Sequence, residues 1–238
     1  MITLAVPSKG RLEELTRETF AAAGVDIERP GGTRSYTGTL KGFPDVVVRF
    51  FPAADIARDL IRGNIDLGVT GLDLIHETAG NGPDSVIIAR RLRFGQADVV
   101  VAVPDAWIDV TRMHDLADVA SDFRQRHGRW LRVATKYVTI TRSVFARHGI
   151  AEYRIIESLG ATEAAPAAGV ADLIVDITTT GSTLAANALR VLEDGVVLNS
   201  EACLLVSKVE RSSSDQTSLD RLLACFETLP KTLLPFSP

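Results

Sequence analysis

The stretch Gly169–Leu189, GVADLIVDITTTGSTLAANAL, decides how this chain is read. Leu173–Ile177 is apolar enough for a central parallel strand, yet Asp176 sits near its C-terminal end. A carboxylate in such a strand is costly unless its burial is compensated. Thr178, Thr179, Thr180, Gly181, Ser182 and Thr183 follow, five hydroxyls in six positions, and a helical pattern continues over Thr183–Leu192. Strand, hydroxyl-rich glycine turn and helix form an anion cradle. Exposed amides and hydroxyls converge there, and the helix dipole adds partial positive charge. An ordinary capped turn uses one or two such residues, not five.

Outward from this segment the same grammar repeats. Ile2–Val6, Val46–Phe50, Leu67–Thr70, Val86–Ala89, Val99–Val103, Leu131–Thr135, Tyr153–Ile156 and Val196–Val206 read as further strands. Leu12–Ala23, Ala53–Ile61, Met113–Arg126, Thr139–His148 and Ser218–Phe226 read as helices, several closed by glycine (Gly24, Gly63, Gly149). Arg211–Ser218 reads as a polar loop. Strands separated by helices of this length predict βαβ units and largely parallel α/β sheets. Ligands in such sheets bind at the carboxyl ends of the strands.

Two more turns suit anionic ligands. VPSKGRL, Val6–Leu12, places Lys9 and Arg11 between the first strand and its helix, where they can meet a polyphosphate or serve only as a solvated basic turn. In IDLGVTGLDLIHE, Ile65–Glu77, Gly68 and Gly71 bracket Thr70, and Asp73 and Glu77 lie one helical turn apart. That pair suits a cation or ribose hydroxyls, and equally an acidic first turn.

The composition bounds the rest. The 238 residues, 46% hydrophobic and 24% charged, suffice for one large domain or two small ones. A net charge of -4 lacks the broad basic field that nucleic acid demands, so basic groups act locally, on small anions. Cys203 and Cys225 have no CxxC spacing, and His76, His114, His127 and His148 have no metal-ligand spacing. No secretory pattern opens the chain and no apolar run reaches the length of a bilayer span, so a cytoplasmic protein with no membrane partner is expected.

Taken together these residues resemble the ATP phosphoribosyltransferase family, the first enzymes of histidine biosynthesis. The family pattern is filled by Glu163, Gly169, Ala171, Asp176, Ile177, Thr180, Gly181, Thr183 and Leu184. SKGRL, TRSYTG (Thr33–Gly38), DLGVTGLD (Asp66–Asp73), FGQADVVVAVP (Phe94–Pro104) and ATKYVTITRSVFARHGI (Ala134–Ile150) also resemble family segments in the family order. Pro52 stands where the family often has an arginine three residues before the aspartate matching Asp55, leaving Arg49 and Arg58 as candidate replacements, and Ala97 stands where a cysteine is common.

The resemblance implies a two-lobed α/β fold like type II periplasmic binding proteins, with the active cleft between lobes. It places 1–96 in lobe I, 97–189 in lobe II with the phosphoribosyl loop, and 190–238 in the return to lobe I with a C-terminal helix. The outward crossing is expected at Phe94–Val99 and the return near Val196–Val206.

The implied reaction transfers phosphoribosyl from phosphoribosyl pyrophosphate to N1 of ATP, releasing pyrophosphate with Mg²⁺ as cofactor, held mainly by substrate phosphates. It assigns the ribose 5-phosphate to Thr179, Thr180, Gly181, Ser182 and Thr183, and the ribose hydroxyls or Mg²⁺ to Asp176 supported by Glu163. Lys9, Arg11 and Arg34 are assigned to pyrophosphate or ATP phosphates, and Asp73 to orienting a substrate. The chain's length resembles the short form, which implies a homodimer within a hetero-oligomer containing a histidyl-tRNA synthetase-like regulatory subunit. The alternative function is a non-catalytic small-ligand binding module of the same fold.

Overall fold

The computed structural model describes residues 1–32, 35–80 and 84–227. The chain forms two compact units, Met1–Gly95 with the segment from Glu201 onward, and Gln96–Ser200. Residues 190–200, which the sequence assigns to the returning segment, thus lie in the second unit.

The first unit opens with β1 (Ile2–Pro7), α1 (Gly10–Ala22), β2 (Ile27–Glu28), β3 (Thr37–Leu40), β4 (Val46–Phe51), α2 (Ala53–Arg62), β5 (Leu67–Gly71), α3 (Leu72–Ala79) and β6 (Val86–Arg91). The second contains β7 (Ala97–Pro104), α4 (Met113–His127), β8 (Leu131–Thr135), α5 (Val138–Arg147), β9 (Tyr153–Glu157), a 3-10 turn at Thr162–Ala164, β10 (Leu173–Thr178), α6 (Ser182–Ala186) and β11 (Leu189–Ser200). The first unit is completed by β12 (Ala202–Ser207) and α7 (Ser213–Glu227).

The seven-stranded sheet of the first unit runs β2-β3-β4-β1-β5-β12-β6. At its centre β1 pairs in parallel with β4 and β5. Side chains alternate across a strand, so one face of β1 turns Ile2, Leu4 and Val6 toward Phe20 of α1 and Phe226 of α7. The other face turns Ala5 toward Ile56 and Leu60 of α2. Burial on both faces is why the strand reads as a continuous apolar run. Gly68 of β5 is where α2 seats: a Cβ there would lie 2.5 Å from Ile56 Cγ2. Cys203 is buried in this core, and burial pushes its thiol up to about 12, which makes it an inert core residue.

The five-stranded sheet of the second unit runs β11-β7-β10-β8-β9, with β10 in the middle. One face packs Val99, Val101, Val103, Leu173 and Val175 against α4 and α5 through Met113, Leu116, Phe123 and Phe145. The other packs Val100, Ala102 and Ile174 beneath Leu184 of α6. Asp172, at the foot of β10, accepts both Arg129 guanidinium nitrogens at 2.6 and 2.8 Å and the Arg132 N–H at 2.8 Å. Burial alone would raise this carboxyl; the arginines and the Arg132 amide outweigh it and pull it down to about 2. The folded state therefore binds the proton more weakly than the unfolded chain. The pair's stability is present above the ordinary carboxylate range and is lost as pH falls toward about 2. Asp172→Asn is expected to cost about 2 kcal/mol, the scale of hydrogen bonds to charged groups, read as a lower midpoint in urea unfolding.

Several sequence expectations are corrected. The expected helix Thr183–Leu192 is only α6, Ser182–Ala186, after which Ala188 adopts a left-handed φ of 54°. Leu189–Val191 then enters β11, where antiparallel pairing with β7 overrides the helical propensity of the alanine-rich run. The expected strand Val196–Val206 is two strands, parted at Glu201 where the chain passes between units. The loop expected at Arg211–Ser218 is helical from Ser213, because Ser212 Oγ caps the Asp215 N–H at 3.2 Å. The sheets are mixed: β7 and β11 in one, and β2, β3, β6 and β12 in the other, pair antiparallel.

Candidate active site

In the second unit, β10 carries Asp176 to the carboxyl edge of its sheet, and the chain then turns through Thr178–Gly181 into α6. Gly181 has φ 74°, the left-handed region that an L side chain rarely adopts, and this reverses the backbone. Hydroxyls organise the turn. The Gly181 N–H donates to Thr178 Oγ1 at 2.9 Å, and the Ser182 N–H to Thr180 Oγ1 at 3.4 Å. Thr180 Oγ1 and Ser182 Oγ lie 2.9 Å apart, and Thr179 Oγ1 reaches the Gln96 carbonyl at 3.5 Å. A pocket of about 310 Å³ opens beside the turn, lined by Ala97, Glu163, Asp176, Ile177, Thr178, Thr179, Thr180, Thr183 and Leu184. The expected helix dipole is small, because α6 has only 5 residues. The cradle rests on amides and hydroxyls instead.

Glu163 reaches the pocket by a strained route. Ala161 takes a φ of 50° ahead of the 3-10 turn, and Thr162, 2% exposed, anchors that turn with its hydroxyl on Ser158 Oγ at 3.1 Å. Burial pushes the Asp176 carboxyl above its ordinary range; the Ile177 N–H and the Lys136 ammonium pull it back, and Glu163 adds to the rise. Asp176 Oδ1 is buried and accepts no hydrogen bond among the described residues. Lys136 Nζ lies 3.8 Å from that oxygen. Asp176, Glu163, Thr179, Thr180 and Thr183 thus share one pocket, with Gly181 and Ser182 in the turn that shapes it.

Lys9, Arg11 and Asp73 belong to the first unit. Lys9 precedes α1 in extended conformation, and both Lys9 and Arg11 are exposed. Asp73, 7% exposed, lies in the first turn of α3. Arg34 lies outside the described residues. Near Pro52, Arg58 is engaged by Asp55 at 2.8 Å, while Arg49 is exposed on β4.

Sequence reasoning missed two basic residues. Arg29 lies over the Phe50 ring at 4.0 Å and donates to the Ser35 carbonyl at 2.7 Å, to Glu13 at 3.1 Å and to the Ser8 carbonyl at 3.4 Å. It thereby ties down the residue before Lys9, and nothing in its local sequence marks it. Lys136 follows β8 at the carboxyl edge of the strand beside β10, and strand-end reasoning applied to every strand would have found it.

The family model described as HisG: ATP phosphoribosyltransferase matches residues 52–228. The chain belongs to the ATP phosphoribosyltransferase family. An ATP phosphoribosyltransferase of Mesorhizobium japonicum is 57% identical over 220 residues, covering 92% of this chain and 95% of that one. Another, from Chelativorans sp., is 57% identical over 215 residues, covering 90% and 94%. Among solved structures, the ATP phosphoribosyl transferase (HisG:HisZ) complex from Thermotoga maritima matches with a TM-score of 0.72 and 28% identity, over 95% of this chain and 96% of that one. The alkanesulfonate-binding protein SsuA from Xanthomonas axonopodis, TM-score 0.50 and 15% identity, covering 94% and 71%, shows the shared binding-protein fold alone. Membership in the ATP phosphoribosyltransferase family makes the chain a transferase and favours catalysis over the non-catalytic binding module.

Proposed function

We propose that this chain catalyses the first step of histidine biosynthesis, joining the anomeric carbon of phosphoribosyl pyrophosphate to N1 of ATP through the Thr178–Thr183 pocket. The observation that carries the site assignment is Asp176, a carboxylate pushed up by burial, standing beside an exposed hydroxyl-and-amide turn. In the reaction the bond from the anomeric carbon to pyrophosphate breaks and the bond to adenine N1 forms. N1 attacks with a free lone pair, so no strong base is needed; positioning and electrostatics dominate.

Thr179, Thr180, Gly181, Ser182 and Thr183 hold the 5-phosphate. The turn's hydroxyls already satisfy the Gly181 and Ser182 amides, so the phosphate exchanges with them rather than meeting bare donors. Asp176, supported by Glu163, faces the ribose hydroxyls and the positive charge that grows on the sugar. Lys9, Arg11 and Arg34 address the pyrophosphate or ATP phosphates, and Asp73 orients a substrate.

Mg²⁺ fits this pocket as an ion held mainly by substrate oxygens: the described residues offer no cluster of three or more His, Cys, Asp or Glu, while Asp176 and Glu163 are hard oxygen donors able to complete its shell. When bound, it neutralises charge on the departing pyrophosphate.

The likeness to the Thermotoga maritima HisG:HisZ complex supports a catalytic subunit that works with a HisZ-type chain, and the family resemblance adds a homodimer and a synthetase-like nature for that regulatory chain. No helix among the described residues is long and apolar enough to cross a membrane, and a biosynthetic reaction of this kind belongs in the cytoplasm.

The test is to mix the chain with ATP, phosphoribosyl pyrophosphate and Mg²⁺, and to follow the ultraviolet change of N1-substituted adenine with and without a synthetase-like partner. Turnover requiring both substrates is expected. Folded protein that releases no pyrophosphate under either condition overturns the reading.

A further inference from the structure

The turn that carries Lys9 and Arg11 is held at both ends by one side chain. The turn leaves β1 at Ser8, runs through an extended Lys9 and a Gly10 of φ 73°, and enters the first turn of α1, where Glu13 stands. The Lys9 side chain does not cap that helix. The Ser8 N–H donates to the Phe51 carbonyl at 3.0 Å, and the Ser8 carbonyl accepts Arg29 Nη1 at 3.4 Å. The same nitrogen donates to Glu13 Oε1 at 3.1 Å. One guanidinium nitrogen thus joins the residue before Lys9 to the residue two beyond Arg11.

Arg29 is itself fixed. Its Nε donates to the Ser35 carbonyl at 2.7 Å, its guanidinium lies 4.0 Å from the centroid of the buried Phe50 ring, and its side chain is only 7% exposed. Glu13 Oε1 also accepts Arg17 Nε and Nη2, each at 3.2 Å, which holds the carboxylate from a second side. An ion pair taken this far from water is weak evidence for stability, since an apolar side chain of similar size often does as well. An apolar residue would cover the Phe50 ring, but it could not bridge Ser8 and Glu13. Lys9 and Arg11, between those two anchors, are exposed.

We propose that Arg29 is a positioning residue, its guanidinium clamping the two ends of the Ser8–Glu13 turn so that Lys9 and Arg11 are presented to a polyphosphate. The inference rests on the assignment of Lys9 and Arg11 to substrate phosphates proposed above. A turn held before binding leaves less freedom to lose when the phosphates arrive, so affinity rises without any contact from Arg29 itself. Arginine suits the role because its planar fork reaches Ser8, Glu13 and Ser35 together while lying flat on an aromatic face; a lysine ammonium cannot do both.

The experiment follows backbone amide resonances of the full chain during titration with pyrophosphate and, separately, with ATP, each with Mg²⁺. In the wild type the Lys9 and Arg11 amides are expected to shift saturably with one of the two, and that ligand is carried to Arg29→Met and Arg29→Lys. Both variants are expected to bind it about tenfold more weakly, the scale of ordering two long side chains on binding. Their response to ribose 5-phosphate at the Gly181–Thr183 amides stays as in the wild type. Arg29→Lys keeps the charge and most of the packing, so it carries the test if Arg29→Met does not fold. Wild-type affinity in Arg29→Lys and Arg29→Met overturns the proposal. So does an equal loss for both ligands in step with a lower melting temperature, which makes Arg29 a support of the fold alone. Wild-type Lys9 and Arg11 amides that answer neither pyrophosphate nor ATP overturn instead the phosphate assignment of the turn, a failure seen before any variant is made.

Discussion

Asp176→Ala is expected to lower kcat about 100-fold, the scale of losing one preorganised electrostatic contact worth about 3 kcal/mol. The sugar's positive charge exists in full only near the transition state, so the loss falls on kcat more than on KM. The wild-type acidic limb should lie above the ordinary carboxylate range, because burial pushes Asp176 up. Asp176→Asn should flatten that limb. It should also raise thermal stability: the folded state binds this proton more tightly than the unfolded chain, so the ionised carboxylate costs stability at neutral pH. Activity lost while the melting temperature rises is the mark of a residue kept for function. A variant that melts lower and loses activity in proportion points to a structural role.

Gly181→Val is expected to lose at least as much turnover, by a different route. Nothing lies within 4 Å of where a Cβ would stand, so the side chain has room and the difficulty is the φ of 74°. A β-branched residue cannot hold that angle without strain, costing about 1–2 kcal/mol or more, and the turn relaxes to another conformation. The Gly181 N–H then leaves Thr178 Oγ1, and the amides that would meet the phosphate no longer converge. KM for phosphoribosyl pyrophosphate should rise together with the fall in kcat, and circular dichroism should be unchanged, since the turn is largely exposed. Gly181→Asn should retain much more activity than Gly181→Val, because asparagine tolerates the left-handed region. Equal activity of the two variants contradicts a conformational role for this glycine.

The pocket was legible in the sequence because its chemistry is local: strand, Asp176, hydroxyl turn and Gly181 follow one another within a few residues. The parallel strands β4, β1 and β5 of the first sheet and β10 and β8 of the second were legible for a similar reason, since burial on two faces leaves continuous apolar runs such as Ile2–Val6. The fate of Thr183–Leu192 was not. Alanine, leucine and asparagine there carry a helical pattern, and only pairing with β7, about 90 residues earlier in sequence, draws Leu189 onward into a strand. Lys136 escaped for the same reason: its closeness to Asp176 comes from the register of β8 on β10, about 40 residues apart in the chain. The short strands β2 and β3 are too polar and too brief to show a period.

The central claim, that the Thr178–Thr183 turn receives the phosphorylated ribose, is tested most directly by backbone amide resonances during titration with ribose 5-phosphate. The Gly181, Ser182 and Thr183 amides are predicted to shift saturably, and Gly181→Val to abolish the shifts. If those resonances stand still while amides around Lys9 and Arg11 respond, the phosphoribosyl group binds elsewhere and the account is wrong.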